Sequence, residues 1–281
     1  MPSQFARSFI NQGWVAVEHA LEPEFCEEVV TRGFARLGAI EARPSTWPSG
    51  WHNLPVETAY AIDDVAPRAA AVLDELVGGR AAVQFGDIPD NLIFNFRDEA
   101  PAWQPSEWRA DGANYHKDGD WFRHFLDSPE QGLLGVVFWR DVADDQGATF
   151  IAADSIAPVA RVLAAHPEGL APNDLPMSDV LGQCHDFRPL VGEQGTVVFA
   201  HPYLVHSKSV NQTGRPRIIS NTSVMLRWPL RFERDDGAYT PIEQVVLDAL
   251  NVPSLRFVPS GERGRVVSKR ELQWQEDTCA T

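Results

Sequence analysis

The chain has 281 residues, enough to bury a substantial core in one large domain, and 44% hydrophobic content with nine tryptophans describes a globular protein. A net charge of −15 argues against nucleic acid and anionic membranes as partners, no apolar run is long enough for a transmembrane helix, and the N-terminal residues lack the plan of a secretory signal, so a cytoplasmic protein with a small-molecule substrate is expected. Three scattered cysteines, Cys26, Cys184 and Cys279, argue against a disulfide framework or a thiolate zinc site, and nothing in the sequence specifies an oligomeric state.

In chain order, Trp14 to Val17 reads as a short strand and Pro23 to Leu37 as a helix, with proline in its first turn and Gly38 as its stop. Residues 43–55 are too rich in proline and glycine for regular structure, yet carry Trp47 and Trp51, which either anchor the loop to the core or form a lid over a pocket. A second helix is expected from Val65 to Val77, ended by Gly78 and Gly79. From Asn91 to Arg97 the period changes to two: Leu92, Phe94 and Phe96 share one face, while Asn91, Ile93, Asn95 and Arg97 share the other, which faces water or a cofactor cavity.

Residues 98–112, with Trp103 and Trp108, read as another aromatic loop, followed by strands at Leu133 to Trp139 and Gly147 to Ile151. A helix capped by Ser155 spans Ala157 to Ala165, a short turn or helix Met177 to Gly182, and strands Thr196 to Ala200, Leu204 to Lys208 and Arg217 to Leu226. Thr240, Pro241 and Glu243 stand in capping-box register at the start of a last helix to about Asn251. No repeat or linker divides the chain, so 1–281 reads as one domain: helical decoration over about 18–80, a barrel core over about 81–230, and a C-terminal helix and tail over 231–281. Helices followed by many short strands point to a mainly β fold with flanking helices, a buttressed barrel or sandwich.

The chemistry gathers around His116 and Asp118. Two apart on a strand, they face the same side and can reach one metal ion. His206 is the candidate third ligand, since two histidines and one carboxylate form the facial triad of non-heme iron oxygenases. His201 is its rival, but sits against Pro202 and fits a hairpin to Arg217 less well. The turn-rich stretch 209–214 can close such a hairpin, putting His206 and Arg217 on adjacent strands. His124, flanked by Phe122 and Phe125, reads as a core or supporting histidine, and Asp120 as a rim or substrate contact beyond the strand's exit.

The combination of the segment 115–119, the segment 147–155, His201 to His206 and Asn211 to Arg217 resembles the phytanoyl-CoA dioxygenase family, over roughly Phe9 to Leu226 with the motif core from Asn91 onward. The resemblance implies a double-stranded β-helix (jelly-roll, cupin-like) core, an iron(II)- and 2-oxoglutarate-dependent oxygenase using O2, His116, Asp118 and His206 as iron ligands, and Arg217 as partner of the distal carboxylate of 2-oxoglutarate. It makes Asn95 the matching co-substrate contact, Thr149 a weaker one, and Asn91 a substrate contact. Where family members often carry a small hydroxyl residue two positions after the distal histidine, this chain has Lys208. A regular strand turns it inward beside Arg217 to meet the co-substrate or an acidic substrate group; a bulge turns it to solvent.

The charges balance. Iron(II) with two neutral histidines and one aspartate carries about +1, 2-oxoglutarate about −2, and one arginine closes the sum. The implied reaction is oxidation, foremost hydroxylation, of an unactivated C–H of a small metabolite with release of succinate and CO2; desaturation, rearrangement and ring formation share its chemistry. The alternatives are an acyl-CoA hydroxylase like the family's namesake, or a metal- or ligand-binding barrel without turnover. Asp120, Trp121 and the tryptophan-bearing loops are expected at the pocket mouth.

Overall fold

The computed structural model describes residues 2–97 and 115–267. The stretch 98–112, with Trp103 and Trp108, and Cys279 lie outside the described residues. Two antiparallel β-sheets enclose a cavity, with helices packed outside: the fold is mainly β with a double-stranded β-helix core. The larger sheet runs β1 (Trp14–Val17), β10 (Val197–Ala200), β7 (Leu133–Phe138), β12 (Arg217–Leu226), β6 (Ile93–Asn95) and β2 (Trp51–Asn53), with β4 (Val83–Phe85) on the far end of β12. The smaller sheet runs β11 (Val205–Lys208), β8 (Thr149–Ala152) and β9 (Phe187–Leu190). A separate pair joins β3 (Ala59–Tyr60) to β5 (Ile88–Pro89).

The apolar run of β7 is buried throughout because β10 and β12 flank it and both its faces are covered. In β12 the side chains alternate: Ile218, Ser220, Thr222 and Val224 are buried, while Asn221 and Ser223, on the face of Arg217, are partly open. Trp139, just beyond β7, is fully buried and donates its indole N–H to Ser220 Oγ at 2.9 Å.

The helices are α1 (Gln4–Gln12), α2 (Pro23–Arg36), α3 (Ile62–Val65), α4 (Pro67–Val77), α5 (Ile156–Ala165), α6 (Met177–Gly182) and α7 (Pro241–Leu250). The capping box of α7 forms as its sequence predicts, and Asn251 ends the helix at φ 56°. α2 lies against β6, where a Cβ on Gly33 would come within 2.3 Å of Leu92 and 3.1 Å of Phe94, so only glycine permits that approach. Phe34 meets Phe94 edge-on at 5.2 Å.

Several expectations are corrected. The helix expected over 65–77 is α4 and begins at Pro67: Ala66 before the proline is held at φ −144°, outside helical space, which separates α4 from the single turn α3. α1 has no counterpart in the sequence reading; Ser3 caps it, accepting from Ala6 N–H at 3.2 Å. Residues 43–55, read as irregular, contain β2 at the edge of the large sheet, paired with β6. Ser155 stands before α5 without capping it; its hydroxyl donates to Tyr203 O at 3.2 Å and accepts from Val205 N–H at 2.8 Å, tying α5 to the entry of β11. Finally, β11 and β12 are not paired neighbours: β11 pairs with β8 in one sheet and β12 with β6 and β7 in the other.

Candidate metal and anion site

His116 does not lie on a strand. It forms an isolated bridge with His206, each backbone N–H donating to the other's carbonyl at 3.0 and 2.9 Å. The bridge brings the two imidazoles to 4.5 Å between ring centres. Asp118 completes the group, its Oδ1 lying 3.4 Å from His116 Nε2 and 3.6 Å from His206 Nε2. One ligand atom from each residue falls within 4.8 Å of the others. Ligands about 2.1 Å from one ion and at right angles stand about 3 Å apart, so this spacing fits a single metal with little movement.

The electronics fit as well. His206 Nδ1 lies 3.1 Å from Leu204 O. A carbonyl can only accept, so the ring proton sits on Nδ1 and the Nε2 lone pair is left for a metal. Burial opposes ionisation of Asp118, but the neighbouring His206 and His116 together outweigh it and hold the carboxyl well below its usual range. Gly119, at φ +106°, turns the chain directly after Asp118; a Cβ there would lie 2.3 Å from the Phe122 ring.

Arg217 faces this group from the opposite sheet. It is 1% exposed, and among the described residues no carboxylate lies in ion-pair range of it; its Nε has no hydrogen-bond partner. Burial pushes its guanidinium down to about 10, so it remains charged at neutral pH. A buried, unpaired cation is costly, and an anion in the cavity would relieve that cost with the two parallel hydrogen bonds a guanidinium offers a carboxylate.

The cavity, of about 500 Å³, takes in the triad, Arg217, Thr149 and Lys208. Thr149 and Lys208 stand opposite each other in register between β8 and β11. Lys208 is exposed at the cavity wall with its Nζ 4.6 Å over the Trp51 ring, so it turns toward the mouth without being buried beside Arg217. Asn91, Asp120 and Trp121 also line the cavity. Asn95 does not: its Nδ2 donates to Ser209 O at 2.9 Å and Gly147 O at 3.4 Å, so the amide expected to meet the co-substrate instead ties β6 to the loops around β8 and β11.

The rival histidines lie outside the cavity lining. His201 is fully buried beside Phe9 and Tyr203, accepts from Tyr203 N–H at 3.2 Å, and is pushed by burial down to about 3. His124 supports the turn after Asp118, its Nε2 2.7 Å from Gly119 O; burial pushes it to about 3 as well. Of the two tryptophans in 43–55, Trp47 packs on Phe34 and Phe96, whereas Trp51 lines the cavity.

The sequence reading missed Asn53, Asn221 and Ser223, which line the cavity too. Period two counted outward from Arg217 along β12 identifies the last two. Nothing in the local sequence marks Asn53, because β2 was hidden in a stretch of loop-forming residues.

No family model matches the sequence, and no curated protein matches it. Among solved structures, the chain is similar to the epimerase SnoN in complex with Fe3+, alpha ketoglutarate and nogalamycin RO, at 16% identity and a TM-score of 0.50 over 95% of this chain and 96% of that one. AviO1 from Streptomyces viridochromogenes Tue57 follows at 16% identity and a TM-score of 0.45, over 79% of this chain and 95% of that one. HygX from Streptomyces hygroscopicus, with nickel and 2-oxoglutarate bound, matches at 12% identity and a TM-score of 0.45, over 79% of this chain and 85% of that one. The likeness to SnoN is one of fold. No helix among the described residues is long and apolar enough to cross a membrane.

Proposed function

We propose that the chain is an iron(II)- and 2-oxoglutarate-dependent oxygenase of the phytanoyl-CoA dioxygenase type, formed by 1–281 as one catalytic domain and acting on a small molecule. The observation that carries this reading is the pairing of a metal-competent His116, Asp118 and His206 cluster, in one cavity, with a buried Arg217 that has no ion-pair partner among the described residues. SnoN, which shares the fold, binds Fe3+ and alpha ketoglutarate.

In this proposal His116 Nε2, an Asp118 oxygen and His206 Nε2 hold the iron, and Arg217 takes the distal carboxylate of 2-oxoglutarate. Bound iron supplies the redox chemistry that couples oxidative decarboxylation of 2-oxoglutarate by O2 to oxidation of a substrate C–H. The protein's contribution is placement. The Leu204 carbonyl fixes the tautomer of His206, the His116–His206 bridge sets the spacing of the rings, and the sheet around β12 keeps water from the guanidinium. Thr149, which lines the cavity opposite Lys208, would supply a further hydrogen bond to the co-substrate.

Hydroxylation is the outcome we favour. Among the described residues the basic side chains lining the cavity are Arg217 and Lys208, both near the triad, and they form no separate cationic cleft for the phosphates of an acyl-CoA. The test is succinate formation from 2-oxoglutarate by the iron-loaded protein across a panel of small metabolites. Stimulation by a metabolite supports an oxygenase; 2-oxoglutarate binding without succinate from any of them supports a barrel without turnover.

A further inference from the structure

The cavity continues well past the residues that the metal and co-substrate would occupy. Along β12, Arg217, Ile219, Asn221 and Ser223 share one face and all line it, a span of about 20 Å at strand rise. Ile219 and Ile93, paired nearest neighbours across β12 and β6, form an apolar step. Asn53, at the end of β2, stands beside Ile93 on this rung, and beyond it Asn221 and Ser223 line the cavity with Asn91, contributed from before β6. Among the described residues this far wall carries no charged side chain; Arg217, Lys208 and the acidic Asp120 belong to the metal end or to the segment beside it.

The far wall has unspent hydrogen-bonding capacity. Among the described residues, the side chains of Asn53, Asn221 and Ser223 make no hydrogen bond, and the one bond from Asn91, to Asn221 O, is long at 3.4 Å. Asn91 Oδ1 and Asn221 Oδ1 are buried without a partner. Leaving amide groups unsatisfied in a half-buried wall is unfavourable, and Asn95, two same-face positions from Asn91, shows the alternative, with its Nδ2 donating to two backbone carbonyls. Amides are neutral and present both donors and acceptors. A hydroxyl likewise donates and accepts, so it satisfies either end of an amide whichever way the amide turns. The indoles of Trp51 and Trp121, also on the cavity, offer flat apolar surfaces for the C–H face of a ring.

We infer that the wall of Asn53, Asn91, Asn221 and Ser223 binds an uncharged, polyhydroxylated ring of the substrate, of sugar or cyclitol type, and holds it so that a ring or near-ring C–H faces the metal end. This rests on the proposed function of the triad and Arg217. An acyl chain would strand the amides against methylenes, and an anion would lack a counter-charge on this wall.

The test uses the full chain loaded with Zn(II), which has no redox chemistry, and 2-oxoglutarate. Tryptophan fluorescence is titrated with myo-inositol, methyl glucosides and trehalose, and separately with lauroyl-CoA, while calorimetry follows 2-oxoglutarate binding. The expected result is saturable binding of at least one polyol, weakened about tenfold by Asn221→Leu and severalfold by the milder Ser223→Ala, with 2-oxoglutarate affinity changed less than twofold in both. Silence of every polyol with 2-oxoglutarate affinity intact, or binding of lauroyl-CoA that the two substitutions leave unchanged or tighten, overturns the inference alone. Loss of metal-dependent 2-oxoglutarate binding in the unsubstituted protein overturns the underlying reading, and the inference with it.

Discussion

The two walls that meet at the candidate metal site are built to different standards. Arg217 begins a ten-residue strand paired on both sides and is 1% exposed. The histidine across from it, His116, is held by one isolated bridge, and its side chain is 54% exposed; that of Asp118 is 25% exposed. The anion site is therefore held by the large sheet before any ligand arrives, and among the described residues its charge has no ion-pair partner. The metal site is close to its working geometry but lightly supported, so a metal would contribute much of its order. Preorganisation is concentrated where charge must be matched without water, and left looser where an ion can draw its own ligands together.

The largest expected effect breaks the looser wall. His116→Ala, Asp118→Ala and His206→Ala should each lower turnover by about 10³-fold or more by removing a metal ligand, whereas His124→Ala should leave measurable metal binding. His116→Ala should hardly change the stability of the metal-free protein, because the side chain is half open to solvent. Metal titration and thermal melts of the metal-free variants check both statements; a His116→Ala variant that binds the metal as tightly as the parent would remove it from the ligand set.

The next effect sharpens the contrast. Arg217→Leu should raise the 2-oxoglutarate requirement about 100-fold, on the scale of about 3 kcal/mol for a charge-assisted pair, and yet hold or raise the melting temperature of the ligand-free protein, since an unpaired buried charge is exchanged for an apolar side chain. Equal losses in co-substrate and substrate requirement would contradict the assigned role.

A smaller effect concerns the core beside the site. His201 is neutral in the folded protein because burial pushes it to about 3, while in the unfolded chain it takes a proton near pH 6.5. Its contribution is thus present above pH about 6.5 and is lost as pH falls toward 3, at about 1.4 kcal/mol per pH unit. Denaturant melts from pH 7.5 to 5 should show that slope reduced in His201→Gln; an unchanged slope would show that His201 does not carry it.

The same contrast explains what could be read from the residues alone. The long elements were legible: Leu133 to Trp139 and Arg217 to Leu226 carry periodicity over many residues, and Thr240, Pro241 and Glu243 announce a helix by cap chemistry. The triad was legible because His116 and Asp118 are near in sequence and few histidines compete for the third place. What escaped depends on contacts that leave no local pattern. The His116–His206 bridge is one pair long, β2 is a three-residue edge strand in a proline-rich stretch, and Asn95 has the composition of a co-substrate contact but is spent on Ser209 O and Gly147 O. The expected hairpin from His206 to Arg217 failed for a topological reason. Turn-rich residues allow a reversal, but here they carry the chain across to the other sheet, so that ligand and arginine face each other across the cavity.

The central claim is that the triad and Arg217 form one site for a metal and a dicarboxylate. Calorimetric titration of 2-oxoglutarate into the parent and Arg217→Leu proteins, each with and without Zn(II), tests it most directly. The account predicts tight binding only when metal and Arg217 are both present, with each omission weakening it by about 100-fold. Binding of equal strength without metal, or to the Arg217→Leu protein, would contradict it.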